Sequence, residues 1–205
     1  MTRRIGIAVL LLTPSVLSAQ PPATPPPDPL VKTNATVKVG PHTFVIPDGS
    51  VPLVPNVGVV VGSRATLVID PGLGRRNGET VAREVGKVSK NTELFVTATH
   101  FHAEHTTGYI SLPATAKFIS PTIQESEFAQ DGASQIQLFS KRSPMTAEIL
   151  KDSVAPKVAI RFDRDYVLDL WVGSGSACWL SDRRTHAVTR PCSSRATTCS
   201  SRATS

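Results

Sequence analysis

Residues 99–108 read THFHAEHTTG and place four candidate metal ligands within six positions. These ligands are His100, His102, Glu104 and His105. Imidazole nitrogen and carboxylate oxygen are the ligand types that zinc and similar metals prefer. The alternative is that they are scattered surface or core histidines, which a single histidine would favour. Four ligands so close together favour a metal site.

The segment before this motif, ELFVTATH (93–100), predicts a buried strand that ends at the first histidine. Loops that follow the strands of an α/β sheet commonly carry functional residues. If the chain turns there, His100 and His102 converge on one metal, while Glu104 and His105 face a second. Two metals that close can hold a hydroxide between them and polarise a carbonyl or phosphoryl oxygen, which makes a hydrolytic centre.

Further strands and helices are predicted on both sides of the motif. Strands are predicted at HTFVIP (42–47), VGVVVG (57–62) and ATLVID (65–70), with the last two joined as a hairpin. After a Gly-rich loop, a helix is predicted to begin near Gly78 or Glu79, because apolar residues then recur at helical spacing. A strand at ATAKFIS (114–120), a helix after Ser120-Pro121 and a strand within 158–170 complete an α/β chain layered around a sheet.

HFHAEH resembles the His-x-His-x-Asp-His motif of the metallo-β-lactamase-fold hydrolases. The segment NVGVVVGSRATLVIDPGLG (56–74) resembles the early hairpin of that family, with Asp70-Pro71-Gly72 as its closing turn. The resemblance covers roughly residues 40–170. It implies an αββα sandwich, of which this chain holds the N-terminal half. It also implies one or two zinc ions and hydrolysis of an ester, amide, thioester, lactam or phosphoester in a small-molecule substrate.

The resemblance also implies roles for the four residues. His100 and His102 would bind the first zinc, and Glu104 and His105 the second. Glu104, which stands where the family has aspartate, would also be the catalytic carboxylate. Iron is the alternative metal, as in a mononuclear oxygenase of the same fold. A non-catalytic extracytoplasmic metal-binding domain is the alternative function.

The C-terminal segment departs from the family. Residues 106–205 contain one histidine, His186, and no Gly-Asp dipeptide follows it, so the ligands that the family draws from its second half are missing. In residues 171–205, 13 of 35 residues are Ser or Thr, and CSSRAT occurs twice. This composition predicts a disordered, low-complexity tail.

A shifted reading frame explains this tail. With G- or C-rich third positions, DRRTHAVTRPCSSRATTCSSRATS (182–205) permits LGPAHTRGDTALLVEGDDVLVAGDV, beginning at the Leu180–Ser181 junction. That text resembles the family's second-histidine segment followed by its bridging-aspartate segment. We therefore expect that a frameshift near Leu170 replaced the second half of the fold, leaving metal binding weak and catalysis impaired.

The remaining features concern the two ends of the chain. Residues 1–19 predict a signal peptide and hence a secreted or periplasmic protein without a permanent membrane span, and residues 20–36 predict a Pro-rich linker before a domain at 37–170. The net charge of +6 comes entirely from the two ends, so nucleic acid is not an expected partner. The three cysteines, all in the tail, indicate neither a disulfide framework nor a cysteine zinc site.

Overall fold

The computed structural model describes residues 26–171, 177–182 and 187–192. The predicted signal peptide, residues 1–19, lies outside the described residues. The strands are β1 (Val37–Lys38), β2 (Thr43–Ile46), β3 (Val57–Val61), β4 (Ala65–Ile69), β5 (Glu93–Thr97), β6 (Lys117–Pro121), β7 (Val158–Phe162), β8 (Asp165–Leu168), β9 (Ala177–Asp182) and β10 (Ala187–Cys192). The helices are α1 (Gly74–Val88), α2 (Ala103–Thr106), a 3-10 helix (Thr107–Ser111), α3 (Thr122–Ser140) and α4 (Pro144–Leu150).

Strands β1 to β7 form one sheet in sequence order, antiparallel from β1 to β4 and parallel from β4 to β7. Strand β8 pairs with β9, and β9 with β10, in a second, antiparallel sheet. In a parallel ladder the carboxyl ends of neighbouring strands lie at the same edge. Ile69 at the end of β4 pairs with Thr97 at the end of β5. The Asp70 turn and the histidine motif therefore leave the sheet side by side.

Two apolar clusters cover the two faces of the large sheet, because successive strand side chains point to opposite faces. On one face, Val96 and Phe118 are buried with helix residues Val81 of α1 and Phe128 of α3. On the other, strand residues including Leu67, Phe95 and Ile119 are buried with Leu168 and Leu180 of the small sheet. The described chain thus has a helix layer, a sheet and part of a second sheet. The predicted α/β class and partial sandwich are confirmed.

The first helix begins at Gly74, four residues before the predicted start at Gly78. The reason is non-local, because the amide of Gly74 donates to Oγ1 of Thr107 at 2.8 Å. A Cβ on Gly74 would also lie 2.2 Å from the carbonyl oxygen of Ile149. Gly74 therefore makes a close packing contact at the first position of the helix, where its φ of 65° also favours glycine.

The predicted linker, residues 20–36, differs from the structure from Pro29 onward, where it packs against α1. The side chain of Asn77 accepts from the amide of Val31 at 2.8 Å and donates to the carbonyl of Pro29 at 2.8 Å. Buried Glu84 accepts from the amide of Asn34 at 2.9 Å. Polar residues on the buried face of α1 hold this segment, a pairing that hydrophobic periodicity does not reveal.

The predicted disordered tail, residues 171–205, also differs from the structure at two segments, where β9 and β10 form a hairpin. The side chains of Cys178 and Leu180 alternate along β9 and are buried in the cluster on the second face of the sheet. The predicted strand within 158–170 is two strands, β7 and β8. Across the described residues, no helix combines the length and the hydrophobicity required to cross a membrane.

Candidate metal centre

The Asp70 turn joins the ends of β4 and β5. The backbone of Asp70 is left-handed, with φ of 57°, and its amide donates to the carbonyl of Thr97 at 3.0 Å. Its carboxylate, 7% exposed, accepts from the amide of Thr99 at 2.7 Å and from the hydroxyl of Thr99 at 3.1 and 3.0 Å. A buried carboxylate is thereby fixed beneath the segment that carries the histidines.

The chain then turns into the short helix α2. His102 is its N-cap, and the hydroxyl of Thr106 donates back to the carbonyl of His102 at 3.0 Å. Ala103 is 1% exposed and packs in a cluster with Leu73 and Phe139. Ala103 anchors the helix by facing inward. Glu104 and His105 follow it in the first turn of the helix and lie next to His100.

Three of the four predicted ligands converge. The ligand atoms of His100, Glu104 and His105 all lie within 4.8 Å of one another. The ring centroids of His100 and His105 are 4.0 Å apart. Within the described part of the chain, this is the one group of three such side chains.

Glu104 has a buried oxygen that needs a partner. Its Oε2 is inaccessible to solvent and accepts no hydrogen bond within the described residues. A buried, unsatisfied carboxylate oxygen is costly unless a proton or a cation binds it. The donor set of two imidazoles and one carboxylate, together with this oxygen, fits a zinc ion.

His105 is oriented by the Asp70 turn. Its Nδ1 lies 3.2 Å from Oδ2 of Asp70 and 3.4 Å from Oγ1 of Thr99. A carboxylate at one ring nitrogen is the usual partner of a metal-bound histidine and directs the other nitrogen, Nε2, to the metal. Burial lowers the pKa of His105, but the hydrogen bond to Asp70 and the charges of Asp70 and Glu104 raise it, and the net pKa lies above the ordinary value.

The fourth predicted ligand, His102, adjoins the three-ligand group without belonging to it. Its side chain is 41% exposed, and its Nδ1 lies 3.8 Å from Oε1 of Glu104. Its ring contacts that of His100, with centroids 4.5 Å apart. His102 therefore lies at the solvent side of the centre.

The sequence patterns did not predict that Asp70 and Thr99 contact the histidines of the candidate centre. The signal that could have found them is an acidic residue in a turn directly after a strand that neighbours the histidine strand. His186 lies outside the described residues. His42 packs its ring edge-on against Trp171, with centroids 5.6 Å apart, and takes no part in the centre.

No protein-family model and no curated protein matches the chain. Solved structures do match. A metallo-β-lactamase with a HARLDQ motif from Cronobacter sakazakii aligns with a TM-score of 0.56 and 12% identity, over 78% of this chain and 59% of that one. The described chain has part of the metallo-β-lactamase fold. BJP-1, a subclass B3 metallo-β-lactamase of Bradyrhizobium japonicum, aligns with a TM-score of 0.54 and 12% identity, over 80% and 58% of the two chains.

The metallo-β-lactamase MIM-1 from Novosphingobium pentaromativorans aligns with a TM-score of 0.52 and 13% identity, over 78% of this chain and 56% of that one. The chain thus spans less than two thirds of the length of these solved metallo-β-lactamase-fold structures. At such low identity the likeness establishes the fold alone.

Proposed function

We propose that the chain is a zinc-dependent hydrolase of the metallo-β-lactamase fold that acts on an ester, amide, lactam or phosphoester. The observation that carries this proposal is the convergence of His100, Glu104 and His105 within 4.8 Å, with a carboxylate oxygen of Glu104 buried and unsatisfied. Two histidines and a glutamate form a known ligand set of catalytic zinc sites, which leave one coordination position open.

The residues around the ligands have separate tasks. Asp70 holds Nδ1 of His105, so that Nε2 points toward the ion. Thr99 lies 3.1 Å from Nδ1 of His100 and ties that ring to the same carboxylate through its hydroxyl. A bound zinc ion supplies Lewis acidity, which lowers the pKa of water and polarises the bond to be cleaved. His102, exposed beside Glu104, is placed to contact substrate or to help hold a second ion.

Metal binding and turnover are expected to be weak. The described residues offer three converging ligands, and the chain spans 56–59% of the three aligned solved structures. Each ligand that a zinc site lacks raises its dissociation constant, and an incomplete second half supplies fewer groups to position substrate.

Metal content tests the proposal. The purified chain is dialysed against zinc, and bound metal is measured by inductively coupled plasma mass spectrometry for wild type, His105→Ala and His42→Ala. We expect wild type and His42→Ala to retain zinc and His105→Ala to lose it. Equal zinc in all three proteins would contradict the proposed centre, and retention of iron instead would favour the oxygenase alternative.

A non-catalytic extracytoplasmic metal-binding domain is the second candidate. This chain spans only part of the aligned enzymes, and the ligands of its centre all lie in one short segment. Both observations favour a site that binds metal without catalysis. Chelator-sensitive hydrolysis of a chromogenic lactam or ester by the zinc-loaded chain supports the hydrolase, and zinc binding without turnover supports the alternative. Secretion or export to the periplasm is part of both proposals and rests on the signal-peptide pattern of residues 1–19.

A further inference from the structure

A threonine hydroxyl links the helix that carries two of the ligands to the start of α1. Oγ1 of Thr107 donates to the carbonyl of Ala103, the first residue of α2, at 2.6 Å. The same oxygen accepts from the amide of Gly74, the first residue of α1, at 2.8 Å. Thr107 is 1% exposed, so both hydrogen bonds are shielded from water. The hydroxyl thus uses both its proton and a lone pair to join two helices.

Helix α2 depends on such external support. It is one turn long, Ala103–Thr106, and a helix of that length is not stable by itself. Its N-cap residue, His102, makes no side-chain hydrogen bond to it. Glu104 and His105 lie within this turn. The direction of their side chains is therefore determined by the contacts that hold the turn in place.

The start of α1 directly follows the turn that contains Asp70. The N-cap residue of α1 makes no side-chain hydrogen bond, so the hydroxyl of Thr107 satisfies a helix amide that has no partner within the helix. Beside it, the amide of Gly108 donates to the carbonyl of Gly72 at 2.7 Å. A Cβ on Gly108 would lie 2.2 Å from the carbonyl oxygen of Pro71. The backbone that follows the ligands therefore lies directly against the Asp70 turn.

We propose that Thr107 is a positioning residue of the metal centre. Its hydroxyl holds α2 against the start of α1, and it thereby keeps Nδ1 of His105 beside Oδ2 of Asp70, 3.2 Å away. The orientation of His105 and the approach of Glu104 to the same ion both depend on this bridge. The inference rests on the proposed zinc function. It adds a residue outside the ligand set to those that determine the zinc affinity of the chain.

A threonine with a purely structural role would affect stability without a selective loss of zinc affinity. Thr66 provides the matched control, because its buried hydroxyl also joins another element to α1. Its Oγ1 lies 2.7 Å from Oγ of Ser89, the C-cap residue of that helix. Thr66 lies near the start of β4, at the opposite end of the strand from the Asp70 turn. Removing this hydroxyl should therefore weaken the fold without disturbing the ligands.

The test measures zinc affinity by competition with a chromogenic chelator, and stability by urea unfolding of the metal-free full chain. Valine keeps the shape of threonine without its hydroxyl, so Thr107→Val should raise the zinc dissociation constant about tenfold. Thr107→Ser keeps the hydroxyl and should bind zinc as wild type does. Thr66→Val should unfold at lower urea concentration but keep the wild-type zinc affinity. Thr107→Ala removes the hydroxyl without placing a methyl group against the Gly74 amide, and it replaces Thr107→Val if that variant does not fold.

Three results overturn the inference while the metal centre stands. One is wild-type zinc affinity in the variant without the Thr107 hydroxyl. Another is an equal loss of affinity in Thr66→Val, which would assign the effect to general loosening of the fold. The third is an equal loss in Thr107→Ser, which would assign it to packing of the methyl group. Absence of zinc binding in wild type is a separate result, which overturns the proposed metal centre and this inference with it.

Discussion

Oδ2 of Asp70 lies 3.2 Å from Nδ1 of His105 and joins the turn after β4 to the ligand motif after β5. The two residues are 35 positions apart in the chain, and they meet because β4 and β5 are parallel neighbours whose carboxyl ends share one edge. The geometry of the candidate centre therefore depends on the pairing of β4 with β5 as well as on the segment THFHAEHTTG.

Replacing the carboxylate of Asp70 is expected to weaken zinc binding without removing a ligand. Asp70→Asn keeps the shape of the side chain but loses the charge that orients His105, and loss of such a partner typically costs 10- to 100-fold in metal affinity. Competition with a chromogenic zinc chelator measures the change. Asp131→Asn, an exposed aspartate on α3, is the control and should bind zinc as wild type does. Equal affinity in Asp70→Asn would show that His105 needs no orienting carboxylate.

Glu84 is expected to make stability depend on pH. It is 1% exposed and accepts hydrogen bonds from the amide of Asn34, from Thr36 at 2.5 Å and from Lys87. Burial by itself raises the pKa of Glu84. The hydrogen bonds and the charge of Lys87 lower this pKa by more, so the net pKa lies below the ordinary glutamate value. Because the folded-state pKa is lowered, this stabilisation is present above the ordinary glutamate pKa of about 4.3 and is lost as the pH falls toward the lower, folded-state value.

Urea unfolding at several pH values tests this expectation. Glu84→Gln should destabilise the chain by about 1–3 kcal/mol at neutral pH, since hydrogen bonds to a charged group are lost, and should flatten the loss of stability in acid. Glu79→Gln, on the exposed side of the same helix, should do neither. If Glu84→Gln still loses stability steeply as the pH falls, the pH dependence of stability comes from other carboxylates.

Two glycines of α1 are expected to respond oppositely to alanine. A Cβ on Gly78 would lie 1.9 Å from the carbonyl oxygen of Gly108, in the 3-10 helix that follows the ligand motif. A Cβ on Gly86 would have no atom within 4 Å. Gly86→Ala should therefore stabilise the chain by about 0.5–1 kcal/mol through helix propensity. Gly78→Ala should destabilise the chain by about 1–3 kcal/mol or more, because the backbone of Gly108 must move to make room for the Cβ. Thermal unfolding measures both, and similar shifts would mean that α1 does not pack closely on this segment.

The nucleotide sequence is expected to contain the second half of the fold in another frame. Cys178 and Leu180 are buried in the core, so the fold accommodates the sequence as far as Leu180. This favours a frame change at the Leu180–Ser181 junction over one near Leu170. We expect the shifted frame to be open through codon 205 and to encode the histidine and aspartates described above. Stop codons in that frame within codons 181–205 would contradict the hypothesis.

Much of the fold could be predicted from local pattern. Segments of β-branched residues at 57–61 and 65–69 form β3 and β4, and the buried strand before the histidines is β5. Local pattern failed where a distant partner determined the structure. Thr107 fixes the start of α1 at Gly74, and Glu84 and Asn77 bind a segment that composition alone assigns to a linker.

The same distinction between local pattern and distant contacts applies to the candidate centre. Its ligands lie within six residues, so spacing and chemistry suffice to find His100, Glu104 and His105. Asp70 is distant in sequence and reaches His105 only through the pairing of β4 with β5. No sequence spacing encodes that contact.

We expect one zinc ion to be held by His100, Glu104 and His105. X-ray absorption at the zinc edge, on the zinc-loaded chain, measures this directly. We predict two imidazole nitrogens at about 2.0–2.1 Å with carboxylate or water oxygens at about 2.0–2.2 Å, and one imidazole fewer, or no bound zinc, in His105→Ala. A spectrum without imidazole scattering, or one that His105→Ala leaves unchanged, would contradict the claim.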